Sequence, residues 1–147
     1  HIRAKDALVV ACFNHNHMLL QEAQRLAVQQ EKRGLEQAFA AAAALVRRQQ
    51  TPAGPLLRNS ALTSIDPDTR KQMLRQMDQI VVRFTDMLAD GIIDGSARAC
   101  DARVAGQMLM AMVNSASELK AWVPDLTADA SAPLYCTPMF RGLFAWA

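Results

Sequence analysis

Apolar side chains recur every three or four residues through almost the whole chain, and the recurrence breaks only at clusters of Pro, Gly and Asp. That period belongs to an α-helix with one face turned to a core, whereas a half-buried strand alternates every two residues. The clearest case opens at Asp66-Pro67-Asp68. Asp66 suits an N-cap, Pro67 the first helical position, and Asp68 the positive end of the helix dipole. Beyond them Met73, Met77, Ile80, Phe84, Met87 and Leu88 form one stripe, and Arg75, Asp78, Gln79 and Asp86 lie on the exposed side. The spacing predicts a helix that stops at Asp90-Gly91, with Asp94-Gly95 making a turn.

The same reading extends to both sides. Residues 5–33 form a first helix whose apolar face is expected to carry Leu8, Cys12, His15, Leu19, Ala23 and Leu26, with His17, Gln21 and Gln24 opposite. Gly34 interrupts it. Residues 35–50 form a second helix with Leu35, Phe39, Ala42 and Val46 toward the core. Its alanine tract, 40–44, follows from helix propensity or from room left for a cavity or a close helix crossing. The run Thr51-Pro52-Ala53-Gly54-Pro55 cannot continue a helix and reads as a loop. A short helical piece at 56–62 precedes Asp66, and a last helix at 133–144 carries Leu134, Phe140, Leu143 and Phe144, kinked or restarted at Pro138.

Composition narrows the class. The 147 residues suit one domain, and 51% are hydrophobic, enough for a full core. Aromatics at 5% disfavour an all-β fold. The net charge of +2 lacks the clustered basic excess of a dedicated nucleic-acid binder. Arg47-Arg48 and Glu31-Lys32-Arg33 read as solvated helix ends. The three cysteines, Cys12, Cys100 and Cys136, make no CxxC pair, so neither a disulfide scaffold nor a zinc ribbon is expected. No apolar run is long enough for a membrane span and no signal segment opens the chain, so the expected location is the cytoplasm. No phosphate loop, nucleophile motif or paired carboxylates point to an enzyme, and no cofactor is implied.

Residues 101–122 are unlike the other segments. Asp101 is the expected cap; Val104, Met108, Ala111, Ser115 and Trp122 line one face, and Ala102, Gly106, Leu109, Val113 and Ser117 the other. A helix apolar on two sides is buried on two sides. In so small a domain the second cover is expected from another subunit. The small or β-branched face is assigned to that contact: Gly106, Leu109, Met110, Val113 and Ser117, joined by Phe140, Leu143 and Phe144.

The connector Gly91-Ile92-Ile93-Asp94-Gly95-Ser96-Ala97-Arg98-Ala99-Cys100-Asp101 resembles the Gly-x-x-Asp-Gly-x-x-Arg-x-x-Asp segment of the tetracycline repressor (TetR) family of bacterial transcription regulators. Trp122-Val123-Pro124 and Gly142-Leu143 follow at matching distances, and His1-Ile2 with Lys5-Asp6-Ala7-Leu8 resembles the exit from that family's DNA-recognition helix. The resemblance implies an all-α regulatory domain of about six helices, whose last two build a four-helix dimer interface. Residues 1–8 would be the remnant of the helix-turn-helix exit and 5–147 the effector-binding and dimerisation domain. Operator DNA would be reached only through a helix-turn-helix placed before His1. The implied function is a ligand-responsive regulator, a repressor by family habit. The alternative is a stand-alone helical module with no role on DNA.

His15 is the side chain of most interest, either a polar anchor in an apolar ligand pocket or a core histidine satisfied by a carbonyl. His15 and His17, two apart, face different ways and complete no metal set with Cys12. The methionines are either core or an adaptable binding wall. The expected ligand-binding residues are Cys12, His15, Leu19, Phe39, Met77, Phe84, Met108 and Met112, around a small apolar or amphipathic effector.

Overall fold

A computed structural model describes residues 3–144, with only the backbone of Leu143 and Phe144. Six α-helices follow one another: α1 (Ala4–Gln30), α2 (Gly34–Gln49), α3 (Pro67–Asp94), α4 (Ala102–Ser115), α5 (Leu119–Trp122) and α6 (Ala128–Met139). A 3₁₀ segment, Asn59–Ser64, precedes α3; another, Ala116–Glu118, joins α4 to α5; a π turn, Phe140–Phe144, follows α6. Among the described residues there is no strand. The all-helical reading holds.

The caps lie where local chemistry puts them. Asp66 accepts from the Thr69 N–H at 3.0 Å, and Asp101 from the N–H groups of Arg103 and Val104 at 2.9 and 3.3 Å. The stripe of α3 is buried as its spacing predicts, from Met73 through Leu88. Several boundaries differ: the helix expected over residues 101–122 ends at Ser115, and the short piece expected at 56–62 is the 3₁₀ segment Asn59–Ser64. α3 runs through Gly91 to Asp94 before Gly95, at φ 80°, closes it in the left-handed conformation. The last helix starts earlier, at Ala128, because Thr127 accepts from the Ala130 N–H, and it runs through Pro138 before widening into the π turn.

Gly91 stays helical because α2 begins against it. A Cβ on Gly34 would sit 2.2 Å from the Gly91 nitrogen and the Met87 oxygen. The first turn of α2 has no cap of its own; α3's end supplies one. Asp94 accepts from the Gly34 N–H at 2.7 Å, and the Ser96 hydroxyl accepts from the Leu35 N–H at 3.1 Å. Hydrogen bonds from Ser96 and from Gly34 hold the Asp94 carboxyl below the usual carboxylate range. The connector is thus a clasp that joins the end of α3 to the start of α2.

α2 is the central helix, packed on α1, α3 and α6. Ala38, Ala41, Ala42 and Ala43 are buried, and their short side chains let three neighbours close on one axis. Close crossing, not propensity alone, accounts for the alanine tract.

Two face assignments are corrected. The buried stripe of α1 is Phe13, Asn16, Leu20, Gln24 and Ala27; Leu8 is 64% exposed, and Cys12 and His15 face outward. Gln24 tolerates burial because its Nε2 donates to the Ile80 carbonyl at 2.9 Å. The half-buried imidazole is that of His17, whose burial pushes its pKa below the usual value.

The second correction concerns α4. Gly106, Leu109, Met110 and Val113 turn inward, toward α3 and the core, and are not an open face. Gly106 lies so close to α3 that a Cβ there would meet the Thr85 Oγ1 at 2.3 Å. The outward apolar residues are those expected inside: Val104, Met108 (45% exposed) and, past the 3₁₀ break, Trp122 (81%). Small side chains suited a close approach, as expected, but within the chain. Phe140 is also buried here, against Phe39, with ring centroids 5.1 Å apart in an edge-to-face arrangement. The side chains of Leu143 and Phe144 lie outside the described residues, as do His1 and Ile2.

Candidate functional site

The segment between α2 and α3 builds one wall of a cleft. After α2, the Thr51 hydroxyl donates to the Arg48 carbonyl at 2.6 Å, and Gly54, at φ 79°, turns the chain back. Buried Leu56 and Leu62 then anchor the segment to the core. The other wall is one turn of α1, with Ala11, Cys12, His15 and Asn16, and Ser117 lies at the end. The cleft is open to solvent on one side, and its volume of about 760 Å³ is within the range of small-molecule sites.

Two glutamines brace the end of α4, next to Ser117 in the chain. Gln49 Nε2 donates to the Val113 carbonyl at 2.7 Å, and Gln50 Nε2 to the Ala116 carbonyl at 2.6 Å. Both acceptors flank the point where α4 tightens into the 3₁₀ turn. The amides take up carbonyls at a helix end that lack part of their intrahelical bonding. An ion pair spans the same region: Arg58 Nη2 donates to Glu118 Oε1, joining the cleft wall to the 3₁₀ turn.

The expected ligand-binding residues are not gathered in one place. Cys12 and His15 line this cleft. Phe39 lies instead in a groove of about 510 Å³ between α2 and α6, with Leu35, Phe140 and the charged Glu31, Glu36 and Arg141. Met77 borders a small cleft of about 180 Å³ between α3 and α4, together with Met110. Phe84 is fully buried in the core, Leu19 and Met112 are partly buried, and Met108 is outside. Ser117, expected at a subunit contact, lines the α1 cleft. Asn16, Leu56, Leu57 and Arg58 were missed by the sequence reading. The available signal was Leu56-Leu57 directly after the loop Pro52-Ala53-Gly54-Pro55, an apolar pair that a mere connector does not need.

Among the described residues no group of three or more His, Cys, Asp or Glu is placed to hold a metal ion. No helix among them is long and apolar enough to cross a membrane. The three thiols differ sharply. Cys12 and Cys100 are exposed, while Cys136 is buried in the core and desolvation pushes its pKa up to about 11. Since the thiolate is the reacting species, two thiols are expected to react promptly with a disulfide reagent at pH 8 and the third only on denaturation. Three prompt equivalents would show that α6 does not seal Cys136.

Comparison with known proteins adds one assignment. No curated protein sequence matches the chain. Residues 44–118 match the family described as tetracyclin repressor-like, C-terminal domain. The match runs from the end of α2 through the cleft wall, α3, the clasp and α4 to Glu118, just over half of the chain. With an all-helical fold and a clasp built on Gly91, Asp94, Gly95 and Ser96, the chain belongs to the tetracyclin repressor-like C-terminal domain family.

Proposed function

We propose that this chain is the effector-binding and dimerisation part of a ligand-responsive transcription regulator, a repressor, with the α1 cleft as its effector site. The observation that carries the reading is that α1 itself forms a wall of the cleft. By family resemblance α1 is the helix nearest the DNA-binding head, with residues 1–8 as its exit and the domain proper from residue 5. A ligand wedged between α1 and residues 53–61 bears directly on the angle at which that head is carried. It shifts the angle only by binding one arrangement more tightly than another. The role is binding, not turnover, and the location that suits it is the cytoplasm.

Homodimerisation is assigned to the outward face of α4 and α5 with α6: Val104, Met108, Ala111, Trp122 and Leu134 are all exposed. Apolar side chains exposed along one helix face, here Val104, Met108 and Ala111 of α4, mark an interaction surface, and a two-fold interface uses the same residues on both subunits. Sedimentation equilibrium at micromolar concentration is expected to give twice the chain mass of 16.2 kDa. Met108→Asp is expected to give a folded monomer. His15→Ala is expected to weaken binding of the molecule retained by the purified protein in native mass spectrometry, without changing the dimer. A monomeric wild type overturns the dimer, and unchanged retention in His15→Ala overturns the assignment of His15.

A further inference from the structure

We infer that the α1 cleft takes a single-chain amphiphile with a carboxylate head, which Arg58 binds in exchange for Glu118. The inference rests on the reading of this cleft as the effector site and adds the chemical class of its ligand.

The lining divides into a tail region and a head region. Ala11, Ala53, Pro55, Leu56, Leu57 and Ala61 supply apolar surface on both walls. The polar groups are Cys12, His15, Asn16, Ser117 and Arg58, and neither Asp nor Glu lines the space. Arg58 is the lining side chain with a permanent charge. A guanidinium matches a carboxylate in shape, with two parallel N–H donors, and charge-assisted bonds of this kind are the strong ones. A cationic head would have to draw Glu118 away from Arg58 and leave the guanidinium unpaired in the lining. A neutral head leaves the Arg58–Glu118 pair in place and gains no charge-assisted bond of its own.

Arg58 already holds a carboxylate, that of Glu118, so its position is set for one. Both partners of the pair are about half exposed, at 52% and 54%. An exposed pair of this sort contributes little to stability, so its replacement by a ligand carboxylate deprives the fold of little. The Glu118 carboxylate, once released, is free to take up water. The exchange also undoes the ion pair between the cleft wall and the 3₁₀ turn at Ala116–Glu118. That turn leads into α5 and Trp122, part of the face assigned to the second subunit.

Cys12 provides a local reporter because it lines the cleft and is exposed, and Cys100, exposed elsewhere, is the internal control. The probes are decanoate, 1-decanol and decyltrimethylammonium, each below its aggregation limit. The readout is the rate of iodoacetamide alkylation at each thiol, resolved by peptide mass spectrometry. Decanoate is expected to protect Cys12, but not Cys100, at concentrations several-fold below those needed for decanol, a gain limited by the Glu118 bond given up in exchange. Decyltrimethylammonium is expected to protect neither. Arg58→Gln is expected to bring decanoate to the level of decanol. Glu118→Gln, which removes the competitor, is expected to lower the decanoate concentration needed, and an increase instead would overturn the exchange. Equal protection by all three probes, or a decanoate preference that survives in Arg58→Gln, overturns the carboxylate assignment and leaves the cleft standing as a site. No protection by any probe overturns the cleft as an effector site, and this inference with it.

Discussion

Gly34→Ala is expected to cost about 3 kcal/mol or more, at the upper end for an added methyl group in a packed interior. The added carbon would lie 2.2 Å from the Gly91 nitrogen, 2.2 Å from the Met87 oxygen and 2.8 Å from the Asp90 carbonyl carbon. All three are backbone atoms of α3, so no side chain can rotate away. The helices must separate, and separation pulls the Gly34 and Leu35 N–H groups away from Asp94 and Ser96. The first turn of α2 then loses its cap as well as its packing. For a domain of this size that corresponds to a fall in Tm of roughly 6–12 °C. Thermal unfolding followed by circular dichroism checks it, with Gly142→Ala as control, since a Cβ at Gly142 meets nothing within 4 Å. If Gly34→Ala melts within 2 °C of wild type, the close approach of α2 to α3 is not as described.

Val113→Asp is expected to unfold the chain rather than to release folded monomers. Val113 is fully buried, and its carbonyl accepts the Gln49 amide beneath the bend at the end of α4. A carboxylate there is taken out of water with no cation described beside it, or is protonated at a cost. Either way the loss is about 3–5 kcal/mol, a large part of what holds a domain of this size together. Met108→Asp, one and a half turns away on the same helix, places the same group where the side chain is 45% exposed. The two variants therefore separate the helix's two faces. Val113→Asp is expected to lose its far-ultraviolet helical signal, and Met108→Asp to keep it while sedimenting at half the wild-type mass. A folded, monomeric Val113→Asp would mean that the Gly106, Leu109 and Val113 face belongs to the subunit contact after all.

Much of the architecture was legible because it is local. A carboxylate before a helix start caps it whatever lies around it, so Asp66 and Asp101 could be read directly. The stripe of α3 could be read because its other faces are strongly polar, leaving one orientation that buries Met73 to Leu88. Pro and Gly at 52–55 end α2 by their own geometry. The connector motif, too, was visible as a pattern of residues, although its work as a clasp between α3 and α2 was not.

Orientation failed to be legible where two faces of one helix have nearly equal hydropathy. On α1 the pattern favoured Leu8, Cys12, His15 and Leu19, because Asn16 and Gln24 made the neighbouring face look polar. A buried amide is better tolerated when a distant group takes up its donor, and here the Ile80 carbonyl, fifty-six positions along the chain, accepts from Gln24 Nε2. On α4 both faces are apolar, and composition alone cannot say which meets α3. Gly106 against Thr85 decides it, since the closest helix approach goes where no Cβ intervenes. The cleft is a further step removed: Cys12 and His15 share it with Arg58 and Ser117 only because α1, the loop and the end of α4 converge. Helix existence and capping are thus properties of short stretches of sequence. The facing of α1 and α4, and with it the site, depends on which distant partners complete the burial, and only the packed structure contains that information.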